Sequence, residues 1–375
     1  MSHCITGIVG TSLQENERRI PVHPDHLSGI PRDIRHDIFF ERGYGSAFGA
    51  TDYMMERLGF NLLSRDDLFE RCDLLVLPRP VREDYDMMRP GMALTGWGLF
   101  ALEDTYTQIF IDKRMTTIDF ASMFEWDGNG NRGRHLFERN NELAGYAGVM
   151  HALSTQGICG AYGGKIRALV IAYGSVGRGA VSALLAGGIS DITVAVSRNP
   201  STILSKPSGV TYLRYELKNG ALVFPGGERD ISAQIANADV IVNAIRQNTD
   251  DPVMYIPPGG EKSLRPGSLI IDVSCDRGMG FPFARPTTFD DPVFKAGPAY
   301  YYGVNHTPTY FWNSASWEIS RVLCPLLPYL VAGPDGWKSN ESLQRAIDIR
   351  DGVIANPRIL SYQNRAAHYP HPKLY

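Results

Sequence analysis

The sequence predicts an α/β protein built on parallel sheets, and three observations support this. The chain has 375 residues, which is long for one domain, so two domains of ordinary size are expected. Short apolar segments alternate along it with segments of helical spacing. In the second half the apolar segments are bounded by Gly, Asp and Asn, which is typical of buried parallel strands joined by crossover helices.

The elements of the first domain follow directly. Three segments read as short strands, namely "CITGIVGT", "HDIFFERG" and "CDLLVLP". Between them, "TDYMMERLGF" and "SRDDLFERC" read as helices. From about Asn140 the pattern changes, and "NELAGYAGVMHALSTQG" carries apolar and small residues at the spacing of a long packed helix.

The second domain opens on the strand "KIRALVIAYG", followed by a helix from Arg178 to about Gly187. Further strands are predicted at "DITVAVS", "ADVIVNAI" and "GSLIIDVSC". After Gly303, "FWNSASWEISRVLCPLLPYL" and a helix near "SNESLQRAIDIRDG" suggest a return to the first domain. The tail "NRAAHYPHPKLY" is predicted to be a surface extension with solvated histidines, His368 and His371.

Composition excludes several classes of protein. A net charge of −3 argues against nucleic-acid binding, and no apolar stretch approaches the ~20 residues of a membrane span. Five scattered cysteines without a C-x-x-C pair, and no signal peptide, indicate reduced thiols and a cytoplasmic protein. No hydrolase or zinc motif is present, so no metal is expected. The apolar run "EISRVLCPLLPYLVAG" fits either a homo-oligomer interface or ordinary core.

The stretch "LVIAYGSVGRGA" resembles a dinucleotide-binding turn. The G-x-G-x-x-G positions are held by Ala172, Gly174 and Gly177, between a predicted strand and a predicted helix. We therefore expect Gly174, Ser175, Val176 and Gly177 to hold a pyrophosphate at the helix N-terminus. The alternative is a glycine-rich turn in an ordinary α/β sheet.

The second strand of this domain ends in Ser197 and Arg198. NAD sites usually carry Asp or Glu there, which binds the ribose hydroxyls and repels a 2′-phosphate. A hydroxyl and a guanidinium would bind that phosphate instead, so NADPH/NADP is expected and NAD is disfavoured. The alternative for Arg198 is a solvated loop residue.

Several segments resemble the alanine dehydrogenase and transhydrogenase family. "NERRIPVHPDHL" resembles its first motif, and "NELAGYAGVMHAL" and "IDVSCDRGMGFPFARPTTFDDPVF" resemble later ones. Within the family the opine-forming carboxyethylornithine synthase branch is most similar, through "ERGYGSAFGATD", "VNAIRQNTDDP" and "YYYGVNHTPTYFWNSASWEIS". The resemblance covers most of residues 5 to 322, in order.

The resemblance implies two Rossmann-like domains with the active site in the cleft between them. A nucleotide-binding domain at 140–305 would be inserted in a discontinuous substrate domain of residues 1–139 and 306–375. It also implies a reaction in which an amino-acid amine, as in ornithine or lysine, condenses with a 2-oxo acid and the imine takes hydride from NADPH. The partners expected are therefore these small molecules, with no nucleic acid and no membrane.

The resemblance assigns roles to particular residues. Arg19 falls on the arginine that binds a substrate carboxylate, with a surface salt bridge as the alternative. Asp276 falls on the aspartate near the nicotinamide, where it would place substrate, exchange a proton, or merely cap a turn. His306 falls where the family closes the cofactor cleft, as a proton donor or a structural residue. Four further residues are implied to lie near the cofactor: Asn141, Asn243, Ala244 and Ile245.

Two positions depart from the family pattern. Pro78 stands at the position of the catalytic lysine, with Arg79 beside it, and Leu99 stands at the position of the catalytic histidine. Arg79 can bind a substrate anion but cannot act as a base, and Leu99 has no proton chemistry.

Three hypotheses remain open for the missing acid–base pair. The acid–base work has moved to other groups, with Glu103, Asp104, His151 and His306 as candidates. Alternatively, the substrate is a preformed imine that needs only hydride and placement by Arg19 and Arg79. The third hypothesis is a protein that binds NADP(H) without turnover. An amino-acid dehydrogenase, which would need the missing pair most, is a further alternative to the opine-type reductase.

Overall fold

The computed structural model describes residues 4–218, 221–224, 231–247 and 251–374. The chain divides into two compact units. The first unit lies within Met1–Glu138 and Phe311–Tyr375, and the second unit is Arg139–Tyr310. Each unit is built on a mainly parallel sheet, which confirms the predicted α/β class with one Rossmann-like domain inserted in another.

Strands and helices alternate through most of the chain. The strands are β1 (Thr6–Ile8), β2 (Ile38–Glu41), β3 (Asn61–Leu63), β4 (Leu74–Val76), β5 (Ala93–Gly96), β6 (Thr116–Asp119), β7 (Phe124–Trp126), β8 (Arg132–His135), β9 (Arg167–Ile171), β10 (Asp191–Val196), β11 (Val210–Arg214), β12 (Glu216–Lys218), β13 (Ala221–Val223), β14 (Val240–Asn243), β15 (Leu269–Asp272), β16 (Val293–Ala296), β17 (Ala299–Tyr302), β18 (Ile347–Arg350) and β19 (Val353–Ile354). The α-helices are α1 (Asp52–Arg57), α2 (Arg65–Arg71), α3 (Arg82–Met87), α4 (Asp104–Asp112), α5 (Glu138–Thr155), α6 (Ser175–Ala186), α7 (Ile231–Asn237), α8 (Trp312–Leu323), α9 (Leu327–Val331), α10 (Gly333–Ser339), α11 (Glu341–Gln344) and α12 (Pro357–Tyr362). Among the residues described, no helix combines the length and apolarity needed to cross a membrane.

The sheet of the first unit has the order β19-β18-β6-β5-β4-β1-β2-β3. The six strands β1 to β6 are parallel, in the doubly wound order 3-2-1-4-5-6, and β18 and β19 extend the sheet antiparallel. The predicted helices at 51–60 and 64–72 are present. Each starts at a residue whose hydroxyl accepts a backbone N–H, Thr51 for α1 and Ser64 for α2.

The sheet of the second unit has the order β11-β10-β9-β14-β15-β17-β16. It repeats the same doubly wound order, with β16 antiparallel at the edge. The central strands are fully buried because helices cover both faces, as their continuous apolar sequences predicted. The order reverses between β9 and β14, and ligands of such sheets bind at the carboxyl ends of the strands that flank this reversal.

Helices α5 and α6 of the second unit approach each other through glycines. A Cβ on Gly145 would lie 1.9 Å from the Val176 carbonyl oxygen, and a Cβ on Gly179 would lie 1.8 Å from that of Glu142. Only glycine allows the two backbones to approach this closely. The small residues noted in the sequence of both helices therefore fix the position of the α6 N-terminus against α5.

Two predictions for the C-terminal part are correct only in part. In "SNESLQRAIDIRDG", Ser339 ends α10 and Glu341–Gln344 is α11, but Ile347–Arg350 is β18, which pairs antiparallel with β6. The tail is not a surface extension throughout, because Arg365 and His371 are buried, although His368 is exposed. Both His371 ring nitrogens bond the backbone, at Ala366 O and Ile354 N, which explains why this histidine is inside.

The apolar run at the end of α8 and in α9 belongs to the core of the first unit. Ile319, Leu323, Leu327 and Leu330 are fully buried in it. This run has two interpretations, an oligomer interface or ordinary core, and these four side chains lie in the core. A homo-oligomer stays a prediction that this run does not support.

Candidate functional site

The glycine-rich turn lies between β9 and α6, as predicted. Gly174 is the N-cap of α6, so the helix begins at Ser175 rather than at Arg178. A Cβ on Gly177 would lie 2.2 Å from the Ala172 carbonyl oxygen, so the fold itself requires glycine there. A Cβ on Gly174 would meet nothing within 4 Å. The space beside Gly174, next to the first N–H groups of α6, therefore suits a phosphate.

Ala172, at the first glycine position of the fingerprint, has a φ of 81°. This left-handed conformation costs an alanine roughly 1–2 kcal/mol and costs a glycine nothing. We expect Ala172→Gly to raise the free energy of unfolding of the second unit by about 1 kcal/mol, measured in urea. Ala180→Gly, the same change inside helix α6, should lower it by about 1–2 kcal/mol, because it lowers helix propensity and removes a buried methyl group. Equal losses in both variants would contradict strain at Ala172.

Ser197 and Arg198 follow β10 directly and are exposed at the same edge of the sheet. Arg198 Nη2 donates to the Tyr173 carbonyl oxygen over 3.2 Å, so its guanidinium lies beside the β9–α6 turn. β10 is the parallel neighbour of β9. The two side chains are thus placed where the adenosine ribose of a dinucleotide in this sheet would lie.

Asn243, at the end of β14, is buried, and its side chain forms hydrogen bonds within the second unit. Its Nδ2 donates to Asp272 Oδ1 over 2.9 Å, and its Oδ1 accepts Ile245 N at 3.2 Å and Tyr255 OH at 2.9 Å. The Asn243 side chain is thus used within the protein, and cofactor contact by the backbone at 243–245 stays a prediction.

Asp272 is a residue that the sequence analysis missed. It ends β15 with no exposed surface and accepts three hydrogen bonds, from Asn243 Nδ2, from Cys275 N at 2.7 Å and from Tyr301 OH at 3.0 Å. Burial raises the pKa of its carboxyl group to about 6. The signal in "IIDVSCDRG" was a carboxylate directly after an apolar run, but its tyrosine partner lies on another strand.

The raised pKa of Asp272 predicts how the free energy of unfolding depends on pH. Its pKa is about 6 in the folded state, against about 3.9 in an unfolded chain. Between these values the folded state holds more protons, so the free energy of unfolding falls as pH rises through this window. We expect the wild type to lose about 2 kcal/mol relative to Asp272→Asn between pH ~4 and pH ~6.5, measured by urea unfolding. Parallel pH curves for the two proteins would contradict this.

The two residues predicted to be catalytic lie in the second unit. Asp276 is half-buried in the loop after β15, and burial raises the pKa of its carboxyl group while Arg246 opposes the shift. His306 is buried, with Nδ1 2.9 Å from Asn305 Oδ1 and its ring edge-on to Phe289. Both roles stay predictions, as does that of Asn141 near the start of α5.

His151, an alternative acid–base candidate, lies on α5. Its Nδ1 is 3.0 Å from Tyr302 OH, and its ring packs on Phe289 and Tyr310. Burial lowers the pKa of this imidazole, so it favours the neutral form. Asp104, another candidate, forms an ion pair with Lys373, which lowers the pKa of its carboxyl group.

In the first unit, Arg19 forms a buried ion pair rather than a surface one. Its Nε and Nη2 donate to the two oxygens of Glu17, over 2.8 and 2.5 Å, and the guanidinium lies 5.0 Å from the centre of the Trp97 ring. The charge of Arg19 is therefore partly balanced within the unit. Its role toward a substrate carboxylate stays a prediction.

The loops after β1, β4 and β5 meet at the carboxyl edge of the first sheet. Ser12 Oγ donates to the Arg79 carbonyl oxygen over 3.1 Å, and Trp97 N donates to that of Pro78 over 2.9 Å. Leu99 has a φ of 57°, an unusual conformation for a leucine. Strain of this kind occurs mostly at binding and catalytic sites, and strand order reverses between β1 and β4, so these loops form a candidate substrate site.

The first unit has the same strand order as the second, but its phosphate position is filled. Gly10 N and Thr11 N, directly after β1, both donate to Glu41 Oε2 over 2.8 Å. Thr11 Oγ1 donates to Glu41 Oε1 over 2.7 Å, and a Cβ on Gly10 would lie 2.6 Å from the Tyr44 ring. The backbone donors after β1 are thus occupied by Glu41, whereas the space beside Gly174 is open.

Comparison with known families matches both parts of the chain. Residues 9–131 match the family described as "Alanine dehydrogenase/PNT, N-terminal domain", and residues 150–357 match "Alanine dehydrogenase/PNT, C-terminal domain". An N(5)-(carboxyethyl)ornithine synthase of Clostridium botulinum is 25% identical over 323 residues, which cover 82% of this chain and 88% of the relative. An alanine dehydrogenase of Mycobacterium tuberculosis is 22% identical over 365 residues, covering 94% and 95%.

Solved structures show the same fold. An L-alanine dehydrogenase superposes with a TM-score of 0.72 at 18% identity, covering 95% of this chain and 98% of its own. A transhydrogenase from Sinorhizobium meliloti superposes with a TM-score of 0.69 at 17% identity, covering 93% and 99%.

Proposed function

Because the chain belongs to the alanine dehydrogenase/PNT family, we propose that it is an NADPH-dependent reductase of a carbon–nitrogen double bond. The imine would form between the amine of an ornithine- or lysine-like amino acid and a 2-oxo acid, and the product would be an N-(carboxyalkyl)amino acid. The observation that carries the proposal is the open phosphate position at Gly174 with Ser197 and Arg198 beside it.

The family and both named relatives make the chain an oxidoreductase of amino-acid metabolism. The relatives belong to two reaction classes, reductive condensation by the carboxyethylornithine synthase and deamination by the alanine dehydrogenase. The residues at positions 78 and 99 help to decide between these two reactions for this chain. An alanine dehydrogenase releases ammonia and needs proton transfer at the substrate, which Pro78 and Leu99 cannot perform. Hydride addition to an imine needs a proton only at the nitrogen, and we assign that proton transfer, with those of the condensation, to Asp276 and His306. An imine reductase therefore suits this chain better.

The second unit would hold the cofactor. The backbone N–H groups at Ser175 to Gly177 would bind the pyrophosphate, and Ser197 and Arg198 would bind the 2′-phosphate. The backbone at 243–245 and the side chain of Asn141 would face the rest of the cofactor. When bound, NADPH supplies the hydride.

The substrate carboxylates would be bound by Arg79 and Arg19. Arg79 follows β4 where the strand order of the first sheet reverses. Arg19 shares its charge with Glu17 and lies beside the Trp97 ring, in the segment that follows β1. Asp276 and His306 would place the reacting nitrogen and exchange its proton.

One observation favours a second candidate, reduction of a preformed imine. Leu99 and Pro78 place no ionisable side chain at the two positions discussed above, and an iminium that arrives already formed needs only placement and hydride. Such a substrate would come from a separate condensation reaction.

The test is a titration with NADPH and NADH followed by the nicotinamide absorbance in two panels of substrates. One panel contains amino acids with 2-oxo acids, and the other contains preformed cyclic imines. Turnover in the first panel is expected, and turnover only in the second would establish the second candidate. Binding of NADPH without any turnover would overturn catalysis, and binding of neither nucleotide would overturn the whole proposal.

Cofactor choice gives a prediction about Arg198. Arg198→Gln should raise the Kd for NADPH by about 10- to 100-fold, because it removes a charge-assisted contact to the 2′-phosphate, and should leave the Kd for NADH unchanged. Arg265→Gln is the matched control, since Arg265 pairs with Asp239 at the opposite end of the strands. Equal weakening of both nucleotides by Arg198→Gln would contradict the role.

A further inference from the structure

A buried network of hydrogen bonds lies under two loops of the second unit. Its centre is Asp272 at the end of β15, between Asn243 at the end of β14 and Tyr301 on β17. All three side chains are buried almost completely. The network therefore joins three neighbouring strands of one sheet directly below their carboxyl ends.

The network fixes the backbone of both loops. Asp272 Oδ1 accepts Cys275 N over 2.7 Å, and Cys275 has a φ of 41°, in the left-handed region that an ordinary residue rarely adopts. Asn243 Oδ1 accepts Ile245 N over 3.2 Å. Asp276 directly follows the restrained Cys275, so its side chain direction depends on the bond to Asp272.

A second set of hydrogen bonds holds Asn243 and the β14 loop in place. Tyr255 OH donates to Asn243 Oδ1, and Gln247 Nε2 donates to Tyr255 OH over 3.0 Å. Ser274 Oγ donates to the Ile245 carbonyl oxygen over 2.5 Å and so ties the β15 loop to the β14 loop. The two loops consequently behave as one rigid piece of the site.

Position in the sheet decides which half of a dinucleotide these loops would meet. A doubly wound sheet binds the two halves of a dinucleotide on either side of the point where strand order reverses. Ser197 and Arg198, on the β10 side, mark the adenosine half, so the β14 and β15 loops lie on the nicotinamide side.

We propose that Asp272, with Tyr301 and Asn243, is a positioning residue that sets the nicotinamide half of the site by holding the backbone at Cys275 and Ile245. This inference rests on the proposed function. None of the three side chains is assigned a contact with cofactor or substrate. They act through the loops that carry Asp276 and the 243–245 backbone.

The test compares binding of whole NADPH with binding of adenosine 2′,5′-bisphosphate, which represents the adenosine half alone. Tyr301→Phe removes one hydroxyl and keeps the ring, and Asp272→Ala removes the acceptor for Cys275 N. Both should weaken NADPH about tenfold or more and change the Kd of the bisphosphate by less than twofold. Asp272→Asn keeps an oxygen for Cys275 N and should restore NADPH binding to within about threefold of wild type.

Tyr300→Phe is the matched control, since Tyr300 is the neighbouring residue of β17 and is 37% exposed. It should change neither Kd. Wild-type NADPH affinity in Tyr301→Phe and Asp272→Ala would overturn the inference, and so would equal weakening of both ligands, which indicates a general loss of structure. A wild-type protein that binds neither NADPH nor NADH would overturn the proposed function and this inference with it.

Discussion

Replacing Gly174 with alanine is expected to raise the Kd for NADPH by about 100-fold, equivalent to about 3 kcal/mol, without changing the melting temperature of the ligand-free protein. Apart from its two chain neighbours, the methyl group would meet no protein atom within 4 Å. It would instead fill the space where the pyrophosphate approaches the backbone. Both quantities can be measured on one preparation, by nicotinamide fluorescence and by thermal unfolding.

Gly177→Ala is the matched control. Its methyl group would lie 2.2 Å from the Ala172 carbonyl oxygen, so the turn must shift and stability should fall by about 1–3 kcal/mol. The two variants thus distinguish a glycine that we expect to be needed for ligand binding, Gly174, from one that the fold itself requires, Gly177. If Gly174→Ala bound NADPH as tightly as wild type, the assignment of the phosphate position would be wrong.

Replacing Arg365 with alanine is expected to lower the free energy of unfolding of the first unit by about 3 kcal/mol. The buried guanidinium donates to Gln363 Oε1 over 2.7 Å and to Gln108 Oε1 over 2.8 Å. It also donates to the carbonyl oxygens of Asp104 and His371, both over 3.2 Å. Without it the acceptors of the buried residues Gln363 and His371 lose a charged donor, while those of Asp104 and Gln108 are half-buried. Urea unfolding provides the measurement.

Lys373→Ala removes a second basic residue of the same tail. Its ion pair with Asp104 is half-exposed, so the loss should stay below about 1 kcal/mol. A similar loss in both variants would show that the tail is held by its surface charges. A loss below 1 kcal/mol in Arg365→Ala would show that the tail contributes little to the first unit.

Local pattern was sufficient to predict much of the second unit. The strand before Gly174, the helix after it and the edge position of Ser197 depend on neighbouring residues in the sequence, and the structure has each of them. The partner of Asp272 could not be predicted in the same way. Tyr301 is 29 residues away, and the two meet only because β15 and β17 are adjacent in the sheet.

The predictions for the tail and for the β18 segment are inaccurate for different reasons. The apolar residues of Ile347–Arg350 are too few to separate a strand from a helix, and only pairing with β6 decides. Arg365 and His371 are polar, and composition places polar residues outside. Their burial depends on backbone acceptors and donors that other segments supply, which no local pattern contains.

In the first unit, the Glu41 carboxylate occupies the position beside the backbone N–H groups after β1. Its carboxylate satisfies the two backbone N–H groups after β1, the same kind of groups that the second unit leaves open beside Gly174. Two sheets with one strand order thus differ at this turn: in the first unit a side chain of the protein accepts the backbone N–H groups, and in the second unit the space beside them is open. Glu41 and the Tyr44 ring together close the turn after β1, so the carboxyl edge of the first sheet keeps its shape without a bound anion.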